Sequence, residues 1–389
     1  MKRFIIVVLD SVGCGALGDA FKYNSEGANT LGHIAASRPL NIPNMHSMGL
    51  GNILPLCHLP ALAQPKAAYG CMAARSAGMD TTTGHWEIAG LILDKPLPTF
   101  PQGFPEDLIQ EFSARIGSLV LGNCVASGTQ IIKDLGEEHM RTGYPIVYTS
   151  ADSVFQIAAH ESIIPIERLY EICEIAREIL QGDYGVGRVI ARPFVGNSKD
   201  DFSRTENRRD FSLHPAPGGL LEQVESVGLP VVSIGKINDI FAGCNISHRM
   251  EGHNNQQSMD SLYQALETIN QGLIFANFVD FDMLYGHRND VEGDAAALES
   301  FDAGLAKVFN LLQADDILAI CADHGNDPTT VKTDHDREYV PLLVYGDAIH
   351  PVDLGIRASF ADLGQTAAEY LGAKPIPYGT SFLGQILKK

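Results

Sequence analysis

Five short, dominantly apolar runs set the rhythm of this chain: Phe4–Leu9, Val231–Ile234, Leu273–Val279, Ile317–Ile320 and Val340–Val344. None alternates apolar with polar. Each therefore reads as a strand covered on both faces, not one with a wet side. Segments with helical spacing, Ser258–Ile269 and Ala295–Leu312, fall between the later runs. Strands alternating with helices predict an α/β fold with a central, mostly parallel sheet flanked by helices.

The middle of the chain breaks this rhythm. Pro96, Pro98, Pro101 and Pro105 crowd one stretch, and His214-Pro215-Ala216-Pro217-Gly218-Gly219 forms a second breaker cluster. Paired clusters of this kind suit the two crossings into an inserted domain. The expectation is a discontinuous core, 1–96 and 215–389, with a smaller α/β domain at 97–214. Inside the insert, Ile146–Ser150 and Arg188–Arg192 read as strands. Leu169, Ile172, Ile175, Ala176 and Ile179 mark a helix. Residues 24–66, rich in Asn, Gly, Pro and His, read as loop with helical patches such as Leu31–Ile34.

With 389 residues the chain has ample length for two domains. A formal net charge of -19 argues against a nucleic-acid or anionic-membrane partner. An anionic substrate would need metal ions or clustered Arg and Lys to meet it. The seven Cys are scattered with no Cys-x-x-Cys spacing, as reduced thiols in a cytosol would be. Only six apolar residues precede Asp10, too few for a signal peptide, and no run approaches a membrane span. A cytoplasmic location is expected.

The chemistry collects where strands end. Asp10 follows the first run, Asp280 and Asp282 follow the third, and Asp323-His324-Gly325 follows the fourth. His287 and His335 lie shortly downstream. Ligands bind outside the carboxyl ends of strands in open α/β sheets. Mixed Asp and His donors suit Zn²⁺ or Mn²⁺ better than Ca²⁺. Gly13, Gly15 and Gly18 have dinucleotide-loop spacing, yet no amphipathic helix and no second acid-terminated strand follow, so nucleotide binding is not expected. Thr81-Thr82-Thr83 opens an amphipathic stretch. The Thr residues read as helix caps, or as a hydroxyl placed where a helix start stabilises an anion. The Arg204–Arg209 run is either solvated or a phosphate grip. Taken together, Asp10, the Thr81 region, Asp282, His287, Asp323, His324 and His335 supply enough donors for two metal ions sharing a phosphoryl group.

These segments resemble the alkaline phosphatase superfamily: Leu9-Asp10-Ser11-Val12-Gly13, Asp280-Phe281-Asp282, Gly286-His287-Arg288, Ala322-Asp323-His324-Gly325-Asn326-Asp327-Pro328 and Thr333-Asp334-His335. Asp80-Thr81-Thr82-Thr83-Gly84-His85-Trp86-Glu87 and Gly235-Lys236-Ile237-Asn238-Asp239 narrow the resemblance to the phosphopentomutase family. Arg192–Gly196 and Tyr378–Leu383 extend it along nearly the whole chain.

The resemblance implies an alkaline phosphatase-like core with an inserted cap, and two Mn²⁺ ions. Asp10, Asp323 and His324 would hold one with the nucleophile, and Asp282, His287 and His335 the other. The nucleophile is assigned to Thr81, with Thr82 open. The implied reaction interconverts α-D-ribose 1-phosphate, or its 2-deoxy form, and the 5-phosphate. It runs through phosphothreonine and a sugar bisphosphate, primed by a compound such as glucose 1,6-bisphosphate. Ser150 and Asp152 would meet sugar hydroxyls. Arg192, Arg208 and Lys236 would grip the distal phosphate, with Arg188 and Arg204 as substitutes. A phosphatase or phosphoglycerate mutase on the same core is the nearest alternative, and a metal-stabilised binding protein without turnover the more distant one.

Overall fold

A computed structural model describes residues 2–150 and 152–388. The chain divides into two compact units, one of residues 1–96 and 215–389, the other of residues 97–214. In chain order the first unit contributes β1 (Arg3–Leu9) and β2 (Ala68–Met72). The second supplies β3 (Leu121–Val125), β4 (Ile146–Thr149), β5 (Val154–His160), β6 (Arg188–Val195), β7 (Ser203–Arg204) and β8 (Arg209–Ser212). The chain then returns with β9 (Val231–Ile234), β10 (His248–Met250), β11 (Gly272–Phe278), β12 (Asp316–Cys321), β13 (Val340–Tyr345) and β14 (Asp353–Arg357).

The large sheet has the order β10-β9-β11-β1-β12-β13-β2-β14. The run Phe4–Leu9 lies at its centre, parallel to both neighbours, with Leu9 opposite Phe278 and Val8 opposite Cys321. Every residue of β1, β11 and β12 is buried, which explains their dominantly apolar character. Arg3, Asn277 and Asp316 are their buried polar members. Fully buried at the start of β1, Arg3 forms an ion pair with Asp316 and donates to the carbonyls of Leu266 and Ile269, so its charge is matched inside the core. β13 departs from the parallel expectation. It runs antiparallel to β12 and to β2, because no crossover helix separates it from β12. All other pairings in this sheet are parallel.

The second unit is built on the sheet β3-β4-β5-β6-β7, with β8 on β6. One face packs Phe155, Ile157 and Val189 against Phe112 and Leu169 from the helices Glu106–Ile116 and Ile166–Ile179. The other packs Tyr148 and Phe194 against Ile131 and Ile132 of the helix Gly128–Thr142.

Candidate active site and metal centre

Because β9, β11, β1 and β12 all run the same way, the residues after them share one edge. Asp10 donates its backbone N–H to Phe278, which brings it beside the end of β11. Ser11 follows with φ 71°, a left-handed backbone that a non-glycine residue adopts at some cost. The turn aims the Ser11 N–H at Asp323 Oδ1, 3.0 Å away. Past β11 the chain makes a single π-type turn, Phe281–Tyr285, which carries Asp282, and then a 3₁₀ turn, Gly286–Arg288, which carries His287. Turns of the first kind are rare and concentrate at functional sites.

The candidate nucleophile sits at the start of the helix Thr81–Ile88. The expectation that a Thr caps this helix needs correction. Asp80 is the cap, and its carboxylate accepts from the Thr83 N–H and hydroxyl. A carboxylate is a stronger acceptor than a hydroxyl for a free backbone N–H, and that leaves Thr81 available. Its Oγ1 is 3.5 Å from Asp10 Oδ1 and 3.4 Å from His324 Nε2. The first turn of a helix stabilises negative charge at that spot.

Two groups of ligand atoms cluster here. Asp282, His287 and His335 form one; Asp10, Asp282 and His324 form the other, with the atoms of each within 4.8 Å of one another. Asp282 therefore belongs to both. Asp323, grouped from sequence with Asp10 and His324, lies 3.4 Å from His324 Nε2 through Oδ2, and the same oxygen is 3.1 Å from His85 Nδ1.

The imidazoles are oriented for donation. His287 Nδ1 lies 2.8 Å from the Thr333 carbonyl and His324 Nδ1 lies 3.1 Å from that of Gly325. Both Nε2 atoms then face carboxylates. A histidine whose other ring nitrogen is tied to a backbone carbonyl is the usual metal-ligand arrangement. His335 Nε2 and Asp323 Oδ2 are buried without a hydrogen-bond partner. Unspent donors in a buried, carboxylate-rich cluster fit a divalent cation.

The electrostatics agree. Burial raises Asp10, and repulsion from Asp323 adds to it, against relief from His324. Burial alone would also raise Asp282, but the imidazoles of His287 and His335 beside it hold it well below the usual carboxylate range. Burial disfavours a charged His324; Asp323 and Asp10 override this and push it up to about 10. His287 is pushed up to about 9, chiefly by its hydrogen bond to Asp282. Without a metal, protons on His287 and His324 balance the carboxylates.

Lys236 follows β9, and its charge acts on Asp10. In the second unit, Ser150 follows β4 and accepts from the Asp152 N–H at 3.4 Å. Arg192 Nε donates to Gln156 at 3.0 Å, a neutral partner, and Asp210 acts on its charge only from a distance. Arg208 already forms a bidentate pair with Asp210, both bonds 2.7 Å. That weakens its case as a phosphate grip relative to Arg192. Arg192, Arg204 and Arg208 all act electrostatically on Tyr148. Sequence reasoning nominated no role for His85, Asn277 or Asn326. Asn277 left one trace, a lone amide inside the apolar run of β11.

The chain matches the Metalloenzyme superfamily over residues 2–375. It is 55% identical over 387 residues to the phosphopentomutase of Caldanaerobacter subterraneus subsp. tengcongensis, covering 99% of this chain and 98% of that one. It is also 55% identical over 389 residues to the phosphopentomutase of Desulfitobacterium hafniense, with both chains fully covered. The chain belongs to the phosphopentomutase family. Like the rest of that family it is an isomerase, which sets aside a binding protein without turnover. Phosphoglycerate mutase of Leishmania mexicana shares the fold, with a TM-score of 0.51 at 14% identity over 100% of this chain and 98% of that one. Among the described residues no helix is long and apolar enough to cross a membrane.

Family membership gives the Gly84-His85-Trp86-Glu87 motif a physical reading. Trp86 Nε1 donates to the Ile240 carbonyl at 3.1 Å. Buried Glu87 accepts from the backbone of Arg75, Ser76 and Phe360 and from the Ser359 hydroxyl, fixing the helix on several sides. Gly84 permits close approach, since a Cβ there would lie 2.2 Å from the Asp323 carbonyl oxygen and 2.7 Å from its Cβ. Gly84→Ala must push the helix, and Thr81 with it, off the sheet edge. We expect kcat of this mutase to fall about 100-fold, the cost of roughly 1 Å of misplacement. Steady-state kinetics beside an unchanged circular dichroism spectrum would show it; near-normal kcat would mean the edge can give.

Proposed function

We propose that this enzyme interconverts α-D-ribose 1-phosphate, or 2-deoxyribose 1-phosphate, with the corresponding 5-phosphate through a phosphorylated Thr81. The observation that carries the reading is the Thr81 hydroxyl at a helix start, within 3.5 Å of Asp10 and His324 and beside the second ligand cluster. In the resting phosphoenzyme the P–Oγ1 bond breaks as a P–O bond forms to the free sugar hydroxyl, giving a sugar bisphosphate. The opposite phosphate then returns to Thr81, and the other monophosphate leaves. A sugar bisphosphate such as glucose 1,6-bisphosphate supplies the first phosphoryl group.

Asp10, Asp323 and His324 would hold one Mn²⁺ and Asp282, His287 and His335 another, supplying Lewis-acid charge against the phosphoryl oxygens. The protein's own share is orientation. The helix start faces the anion, the carbonyls of Thr333 and Gly325 fix two imidazoles, and Asn326 Nδ2 holds Asp282 Oδ1 at 3.2 Å. Ser150 and Asp152 are assigned to sugar hydroxyls. Arg192, Arg208 and Lys236 are assigned to the distal phosphate, with Arg192 foremost because its hydrogen-bond partner, Gln156, is neutral.

The test is ³¹P NMR of Mn²⁺-loaded, glucose 1,6-bisphosphate-primed protein given ribose 5-phosphate. Ribose 1-phosphate should appear with little inorganic phosphate. Inorganic phosphate alone would replace this reading with a phosphatase.

A further inference from the structure

Behind the ligands, two fully buried side chains link everything the reaction needs to hold still. His85 Nδ1 lies 2.9 Å from the Thr81 carbonyl and 3.1 Å from Asp323 Oδ2. On the far side of the ring, His85 Nε2 lies 3.2 Å from Asn277 Nδ2, which lies 3.1 Å from Asp10 Oδ2. All four of His85, Asn277, Asp10 and Asp323 are buried.

These partners assign the hydrogens. Nδ1 faces two acceptors, a carbonyl and a carboxylate, so it carries the proton. Asp10 as a carboxylate accepts only, so Asn277 must turn its NH₂ toward it. The second N–H of that amide then points at His85 Nε2, which must be the lone-pair nitrogen. Turning the amide over would set Asn277 Oδ1 against the Asp10 carboxylate. The network closes with His85 Nδ1 toward Thr81 and Asp323 and Nε2 toward Asn277. The ring is held further by stacking on Phe275, with centroids 5.8 Å apart and planes at 29°.

We propose that His85 and Asn277 act as positioning residues: a hydrogen-bonded strap fixing the spacing of Asp10, Asp323 and the Thr81 helix start, and so the affinity of one metal position. The inference rests on the two-ion phosphothreonine reading above. The strap reaches Asp10 and Asp323 but neither His287 nor His335, so it should act on one ion and not the other. A residue that merely fills the core would affect both or neither.

Calorimetric titration with Mn²⁺ separates these cases. The unaltered protein must first bind two equivalents; if it does not, the two-ion reading fails before the strap is tested. His85→Phe keeps the ring and its stacking but removes both nitrogens. We expect one equivalent to bind 10–100-fold more weakly, the usual effect of losing such support, with the other unchanged. His85→Asn, whose amide nitrogen can occupy the Nδ1 position, should recover most of that loss. Asn277→Ser, which withdraws the donor from Asp10, should weaken the same equivalent and covers the case of a His85→Phe protein that does not fold. Two unchanged affinities, or equal weakening of both, in a folded variant would overturn the proposal.

Discussion

Thr81→Ala is expected to lower turnover by on the order of 10⁴-fold or more, because removing a nucleophile leaves the remaining machinery with nothing to phosphorylate. The loss should be confined to chemistry. Asp80 and not Thr81 caps the helix, so stability should fall by only about 1 kcal/mol, the ordinary cost of a single substitution that breaks no cap. Intact-protein mass spectrometry after priming with glucose 1,6-bisphosphate should show a phosphoryl adduct on the unaltered protein and none on the variant. Thr82→Ala is the control and should stay within about tenfold of normal. Thr83 is a poor competitor, its hydroxyl being spent on Asp80. A phosphorylated Thr81→Ala protein, inert only when Thr82 is also removed, would move the nucleophile by one residue.

Chelation of divalent cations is expected to abolish turnover, and added Mn²⁺ to restore it with release of protons. The sign follows from the two raised histidines. In the metal-free protein His324 titrates at about 10 and His287 at about 9, so both carry protons near pH 7.5. Each must lose one to offer Nε2 to a metal. Loading at pH 7.5 should therefore release about two protons, and apparent affinity should rise with pH until about 9 to 10. Comparing heats in Hepes and Tris, which differ in ionisation enthalpy, counts the protons. The metal-free protein shows the reverse trend. Folded-state values above the ordinary 6.5 mean that these pairs stabilise it fully below pH 6.5, and that this contribution is lost through pH 9 to 10. Asp282→Asn should cost more than any other single ligand change, about a thousandfold or more, because Asp282 serves both clusters. Release of no protons would remove His287 and His324 from the ligand set.

The sequence was most legible where burial was complete. β1, β11 and β12 are covered on both faces, so composition alone marks them, and the polar residues that follow are conspicuous by contrast. β2 was not legible. Its Ala68-Tyr69-Gly70-Cys71-Met72 is half small residues, because Gly70 must sit against the Gly355 carbonyl of β14, where a Cβ would lie 2.5 Å away. The direction of β13 depended on the absence of a helix in the preceding loop, which apolar periodicity does not report. At the site, Asp and His after strand ends stood out by residue type. The strap did not, because one member is a strand-interior Asn and the other hides in a helix, and only three-dimensional proximity relates positions 85 and 277 to Asp10. Likewise the Arg208–Asp210 pairing, two residues apart on a strand margin, is invisible in a run read simply as basic.

The placement of β1 also shapes how the molecule comes into being. β1 lies in the interior of the large sheet, yet both strands that flank it are made far later than it is. Arg3 meets Asp316 across 313 positions of sequence, and β11 begins only at Gly272. At roughly 5–20 residues per second on the ribosome, Phe4–Leu9 waits tens of seconds for a neighbour. The unit of residues 97–214 draws all its strands from one continuous stretch and can close in the meantime. Phe4–Leu9 is thus, for most of that time, an unpaired and adhesive segment of the nascent chain.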